Sequence, residues 1–380
     1  MALETKPSIC MFVLNPYLND GRVRRTCRYL SERGYRITVI AESPSGEDDY
    51  LEIDGVGVYR LNNSGLPTTK GRFIKYMTRA AIKAADIKAD IYHAFDLDTL
   101  LPAFIASVLN RGKLLYEAHE YYVGIQALLN RPFTKSIWSI LERLLIHKAD
   151  RVITVNQSIA DKLVSRYAIP TPDVIYSCTN PIITERSSYL RERYNIPPDK
   201  LIVLYTGILR EGQGLMILPE LFSKTDKAVM VLVGDGPLLM ELESKSNRLN
   251  VEERMIFAGK VDYDELEKYY NSADVGILLM EPIAENNRYA LPNKFFGYLS
   301  AGLPVIVSDI PELKRFVDTY NLGLVISPQV QEAVYAVEKI ASETSLYERY
   351  RRNAIDFSKE YTWDKEASKY PDIYAELTGS

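Results

Sequence analysis

The sequence predicts two doubly wound α/β domains, and three observations carry the prediction. The chain has 380 residues, more than one ordinary hydrophobic core accommodates and a natural length for two domains of under about 200 residues each. Short apolar runs of strand length alternate with helical patterns in two series, separated by a polar, irregular stretch near residues 180–200. Glycine-bearing turns close several of the runs, where a parallel sheet presents the carboxyl ends of its strands and receives its ligands.

The first series opens on Ile9-Cys10-Met11-Phe12-Val13-Leu14, a buried-strand run, and a polar loop from Asn15 to Gly21. Val23, Cys27 and Leu30 follow at helical spacing, Gly34 ends that helix, and Ile37-Thr38-Val39-Ile40 completes a βαβ unit. Further strands are expected at residues 56–61, 91–92, 114–116, 152–155 and 174–176. The second series restarts at Leu201-Ile202-Val203-Leu204-Tyr205-Thr206-Gly207 and continues at residues 229–233, 255–257, 275–279, 304–307 and 324–326. In residues 291–309 a polar loop feeds a helix, with Pro292 suited to its first turn and Gly302 to its C-cap. The mouth of such a helix presents backbone N–H groups and partial positive charge, enough to hold a diphosphate. The expected division is residues 1–185, residues 186–360 and a C-terminal helix over residues 361–380, with ligands in the cleft between the domains.

Composition narrows the function classes. The chain is 47% hydrophobic and 25% charged, the balance of a globular protein. No apolar run reaches the roughly 20 residues of a membrane span, and the N-terminus has no signal-peptide core, so a cytoplasmic location is expected. Cys10, Cys27 and Cys178 are widely spaced and read as buried small hydrophobes, without disulfide or zinc spacing. The net charge of −4 divides into about +4 over residues 1–180 and about −8 over the rest. A basic first half suits either a plain solvated surface or contact with phosphates or an anionic membrane face. Ile137, Ile140, Leu141, Leu144 and Leu145 repeat at helical spacing among Lys135, Trp138, Arg143 and Lys148. That pattern describes a membrane-surface helix, but core packing is the expected arrangement.

The chemistry-bearing residues fall at strand ends. Gly21 would let backbone approach a ligand at the first helix mouth, with Arg22 in reach of an anion. The turn Gly207-Ile208-Leu209-Arg210-Glu211-Gly212-Gln213-Gly214 carries one cation and lacks the dinucleotide and P-loop spacings. Val233-Gly234-Asp235-Gly236-Pro237 is a third tight turn. Of three histidines, His119 suits a cleft wall, where imidazole can hold a sugar hydroxyl or stabilise a leaving charge; His93 reads as structural and His147 as a favourable charge at a helix end. Asp96-Leu97-Asp98 reads as a helix N-cap with a first-turn acid. No HExxH or His/Cys cluster is present.

The order of these motifs resembles the retaining nucleotide-sugar glycosyltransferases of family GT4, which have the two-domain GT-B fold. The resemblance runs from Asn19-Asp20-Gly21-Arg22-Val23 to Tyr361-Thr362-Trp363, whose helix in this family crosses back onto the first domain. Its most specific parts are residues 233–237, Phe257-Ala258-Gly259 with Asp264-Glu265-Leu266 and Ser272-Ala273-Asp274-Val275, and residues 291–312. The resemblance implies that Gly21 lies near donor phosphate and acceptor and that His119 contacts the transferred sugar. It also implies that Gly259 and Val261 meet the nucleobase, that Gly234 belongs to the neighbouring turn, and that Leu291, Pro292, Asn293 and Lys294 hold the diphosphate beside Gly207.

Three positions depart from the family pattern. The two donor cations of the first loop in the second domain are replaced by Ile208 and Gln213, and the acid that binds the donor ribose by Gly297, with Tyr289 at its partner position. Arg210 and Lys294 are the nearest substitute cations. The implied function is transfer of a sugar from a nucleoside diphosphate to a glycan, lipid-linked or small-molecule hydroxyl, with retention and with no metal or other cofactor. Peripheral contact of the first domain with the inner membrane face is compatible with it. The departures keep two alternatives open: a weakened GT-B protein that partners another transferase, and a GT-B nucleotide-sugar epimerase.

Overall fold

The computed structural model describes residues 6–379 apart from 19, 44, 45, 47, 65–68, 183, 184, 263 and 264. The chain forms two compact units: residues up to Tyr176 together with those from Asp364 onward, and Ser177–Trp363.

The first unit is built on eight strands: β1 (Ser8–Phe12), β2 (Arg36–Glu42), β3 (Asp49–Ile53), β4 (Val56–Leu61), β5 (Ile91–Phe95), β6 (Lys113–Ala118), β7 (Arg151–Thr154) and β8 (Asp173–Val174). They lie in the order β3-β4-β2-β1-β5-β6-β7-β8, parallel except where β3 runs antiparallel to β4. The sequence reading omits β3, because its residues alternate between partly covered and exposed and offer no apolar run. It is an edge strand pinned by Arg60, whose Nε donates to Asp49 Oδ1 over 2.7 Å. The expected strand at residues 174–176 is only the pair Asp173–Val174. The C-terminal helix Lys369–Thr378 belongs to this unit; it buries Tyr370 and Tyr374 completely and delivers their hydroxyls to β5 and β6.

One helix of this unit corrects an expectation. In Pro132–Ile146 the residues Trp138, Glu142, Leu145 and Ile146 are buried, while Ile137, Ile140 and Leu144 are exposed. The helix is apolar on two sides, and what faces the core is decided by packing. Trp138 meets the ring of Phe73 edge-on at 5.6 Å and that of Tyr122 at 5.2 Å. Glu142 accepts from the hydroxyls of Tyr116 and Tyr167 at 3.0 and 2.5 Å. Burial pushes its carboxyl up, against the opposing effect of those two bonds.

The second unit has six parallel strands: β9 (Leu201–Thr206), β10 (Ala228–Val233), β11 (Met255–Gly259), β12 (Val275–Leu278), β13 (Val305–Ser308) and β14 (Gly323–Ile326), in the order β11-β10-β9-β12-β13-β14. Their near-continuous burial explains the unbroken apolar runs. At their carboxyl ends the glycines interlock. Gly207 N–H donates to Val233 O and Gly234 N–H to Gly259 O, each over 2.8 Å. Gly234 has φ +142°, and a Cβ there would stand 1.9 Å from the carbonyl oxygen of Gly207. Only glycine lets the two turns approach this closely.

Candidate active site

In the second unit the candidate residues surround Gly207. Lys294, in the first turn of the helix Asn293–Ser300, points its ammonium back at this loop: Nζ donates to Gln213 Oε1 over 3.1 Å and lies 3.7 Å above the centroid of Tyr205. The same Nζ is 3.2 Å from where a Cβ on Gly207 would be. Tyr205 donates to the carbonyl of Ile208 over 3.0 Å and lies 3.2 Å from Gln213 Oε1. Burial holds the Lys294 ammonium well below the usual lysine range, and the charge of nearby Arg210 pushes it further the same way. The position vacated by a cation at Gln213 is thus filled from the opposite side by a lysine that lacks a carboxylate partner among its contacts. That group gains from an arriving anion. Arg210 and Ile208 are exposed on the same loop, and Leu291 is buried behind the helix mouth. Pro292 occupies the N-cap with no side chain to cap the first turn. Gly259, at φ +71°, has no described atom within 4 Å of its Cβ position, and Val261 beyond it is partly exposed.

Gly297 has a positive reason to be glycine. Its Cβ would meet Cζ and the hydroxyl oxygen of Tyr270 at 3.0 Å. Tyr270 lies 3.2 Å from Thr206 Oγ1 and packs edge-on against Tyr298, whose hydroxyl accepts from Thr206 N–H over 3.0 Å. A tyrosine pair braced on the end of β9 thus occupies the space beside the helix where the family carries an acid. Gly297→Glu is therefore expected to lower stability, by about 1–3 kcal/mol from overpacking and a half-buried carboxylate, instead of improving donor binding. Chemical denaturation together with nucleotide titration checks both halves of that expectation.

In the first unit the candidate residues centre on His119, immediately after β6. The register of β5 against β6 pairs Phe95 with Glu117, which sets His93, Glu117 and His119 on one side of neighbouring strand ends. His119 Nε2 lies 2.8 Å from Glu117 Oε1, and His93 Nε2 lies 3.0 Å from Oε2 with poor alignment. Tyr370 donates to Oε1 and Oε2 at 3.0 and 2.9 Å, and His93 Nδ1 is 3.0 Å from Tyr374 Oη. Burial alone would raise the Glu117 carboxyl, but hydrogen bonds from His119 and His93, with their charges, hold it well below the usual range. Glu117 is therefore an anion that can only accept, and His119 carries its proton on Nε2.

Asp96 holds the other side of His119. Its Oδ1 accepts from the backbone N–H groups of His119 and Glu120 at 2.8 and 3.2 Å, and its Oδ2 is 3.9 Å from His119 Nδ1. The residue occupies the N-cap position expected of it but makes no side-chain cap bond. It sits at φ 62°, ψ 170°, a region nearly reserved for glycine that costs about 1–3 kcal/mol; the strap to residues 119 and 120 holds it there. Burial pushes both Asp96 and Asp98 up to about 7. At Gly21 the helix mouth already has an anion of the chain's own: Asp20 accepts from the N–H groups of Arg22 and Val23 at 3.1 and 3.0 Å. Asn19, Tyr263 and Asp264, within or beside the family motifs, lie outside the described residues.

Two family models match successive parts of the chain: Glycosyltransferase Family 4 over residues 22–183 and Glycosyl transferases group 1 over residues 188–357. The chain belongs to the family 4, group 1 glycosyltransferases. An uncharacterized glycosyltransferase of Methanocaldococcus jannaschii is 26% identical over 377 residues, covering 92% of each chain. A GDP-mannose-dependent α-(1-6)-phosphatidylinositol monomannoside mannosyltransferase of Mycobacterium tuberculosis is 24% identical over 366 residues, covering 91% of each. Among solved structures, sucrose-phosphate synthase from Thermosynechococcus elongatus superposes with a TM-score of 0.82 at 19% identity over 98% of this chain and 100% of its own. That likeness shows the GT-B fold.

In this glycosyltransferase the sequence reading missed Glu117 and Tyr270. An acid inside the buried run of β6 was the available signal for Glu117, because a buried carboxylate requires partners. Tyr270 left no such signal, since its importance rests on a contact with a residue that has no side chain. His93 is fully buried and belongs to the scaffold behind His119.

Proposed function

We propose that this glycosyltransferase moves a sugar from a nucleoside diphosphate to a hydroxyl acceptor, with retention and without an essential metal, in cytoplasmic glycan or glycoconjugate synthesis. The observation that carries the reading is Lys294 on Gln213: the ammonium faces Gly207 and lacks a carboxylate partner among its contacts, so a diphosphate is the charge that completes it. Arg210 on the same loop assists the leaving diphosphate, Gly259 and Val261 leave room for a base, and His119 orients the sugar. The mannosyltransferase relative, by its name, uses a GDP-activated sugar and a lipid-linked acceptor, and a donor and acceptor of those classes fit this reading.

The test is a thermal-shift screen against UDP, GDP, ADP, CDP and their sugars, followed by product analysis with the stabilising donor. A true donor at 100 times its Kd adds about 2.7 kcal/mol. A glycoside with the donor's anomeric configuration, formed in the presence of a chelator, is the expected product. No stabilisation at millimolar nucleotide with the fold intact would overturn the reading and favour a non-catalytic partner of another transferase. Free nucleotide released without acceptor together with an epimerised sugar, and no glycoside with any acceptor, would identify an epimerase instead.

A further inference from the structure

The helix Pro132–Ile146 carries four exposed apolar side chains on its outward side. Phe133, Ile137, Ile140 and Leu144 are 73%, 49%, 59% and 62% exposed. At 3.6 residues per turn these positions fall within an arc of about 60°, directly opposite the buried Trp138, Glu142, Leu145 and Ile146. The helix thus has an apolar stripe for the core and a second, exposed one. Leu129, just before it, is 48% exposed. A surface cavity of about 370 Å³ opens at the helix start, lined by Arg131, Pro132, Phe133 and Thr134.

The charge around the second stripe identifies what would cover it. Arg131, Arg143 and Lys148, all exposed, border it, and the one acid between residues 131 and 148 is Glu142, which is buried and bonded to two tyrosines. An apolar ridge with a purely cationic border suits an anionic lipid surface, where aliphatic and aromatic side chains enter the acyl boundary and cations meet headgroup phosphates. A second copy of the chain is a poorer partner. A two-fold contact through this helix would place Arg131 of one copy against Arg143 and Lys148 of the other, like charge on like.

We propose that the helix Pro132–Ile146 docks this protein in plane on an anionic membrane, with Phe133, Ile137, Ile140 and Leu144 inserted and Arg131, Arg143 and Lys148 at headgroup level. The assignment is independent of which sugar is transferred. The experiment is flotation of the full chain with phosphatidylcholine vesicles, with and without phosphatidylglycerol, over a range of salt. Wild-type protein is expected to float with the anionic vesicles and to be released progressively by salt. The combined variant Ile137→Ser, Ile140→Ser, Leu144→Ser is expected to lose flotation by at least tenfold, with an unchanged or higher melting temperature, because these side chains are exposed. Arg131→Glu with Arg143→Glu should weaken flotation to a similar degree and leave nucleotide binding unaltered. Absence of flotation with anionic vesicles at low salt would overturn the proposal, as would flotation that the serine variant retains. So would a wild-type dimer in sedimentation equilibrium that the serine variant dissociates.

Discussion

Lys294→Met should weaken binding of a nucleoside diphosphate about 10- to 100-fold, a loss of about 1.5–3 kcal/mol, and should not weaken the fold. The two effects separate because the ammonium is a poor stabiliser of the empty protein. It is half-buried, its contacts are the neutral Gln213 oxygen and the ring of Tyr205, and Arg210 repels it. A lysine whose folded pKa lies below its unfolded value binds fewer protons in the folded state between those two values. Stability therefore rises with pH across that window. Methionine, of similar length and apolar, removes this dependence and should leave the melting temperature at neutral pH equal or higher. Calorimetric titration with the nucleotide found by screening gives the affinity, and melting curves from neutral to alkaline pH give the linkage. Unchanged affinity in Lys294→Met would remove the main support for a diphosphate at Gly207 and shift it to Arg210.

That lysine shows where sequence reading reaches and where it stops. The alternation of strand and helix, the glycine turns and the helix over residues 293–300 are local patterns, and periodicity with end signals is enough to place them. Lys294 and Gln213 lie 81 positions apart, so that one compensates for the other follows only once β9 and the helix stand side by side. Gly297 is a comparable case: its absent side chain reads as a loss until Tyr270 is seen against it. The helix Pro132–Ile146 is apolar on two sides, and no hydrophobic pattern can say which stripe Trp138 and the tyrosine-bonded Glu142 will draw inward. β3 is short, half polar and at an edge, where propensity is weakest. Asp96 carries a backbone conformation that composition disfavours, retained because its carboxylate straps residues 119 and 120.

His119→Ala should lower the transfer rate about 10²-fold, the cost of losing a group that orients the reacting sugar, and Glu117→Gln should reproduce part of that loss without touching the substrate. Glu117 is a positioning residue. As a buried anion it can only accept, so His119 must donate from Nε2 and turn Nδ1 toward the side of Asp96 Oδ2, 3.9 Å away. A glutamine at 117 can offer its NH₂ to Nε2 instead, which allows the other tautomer and frees the ring to tilt. The signature is thus spectroscopic as well as kinetic. Nitrogen NMR of the imidazole should find the proton on Nε2 in the wild type and a mixture in Glu117→Gln, with kcat lowered more than KM is raised. A merely structural role would lower stability and leave the tautomer alone. Stability has its own sign. The Glu117 carboxyl is held below its unfolded value, so its contribution is fully present above the ordinary glutamate range and disappears as pH falls through the folded pKa. Glu117→Gln should cost about 1.5–3 kcal/mol at neutral pH, the worth of hydrogen bonds to a charged group, and the gap to wild type should narrow in strong acid. A gap that stays constant with pH would show that Glu117 is not held as an anion, and the tautomer assigned to His119 would fall with it.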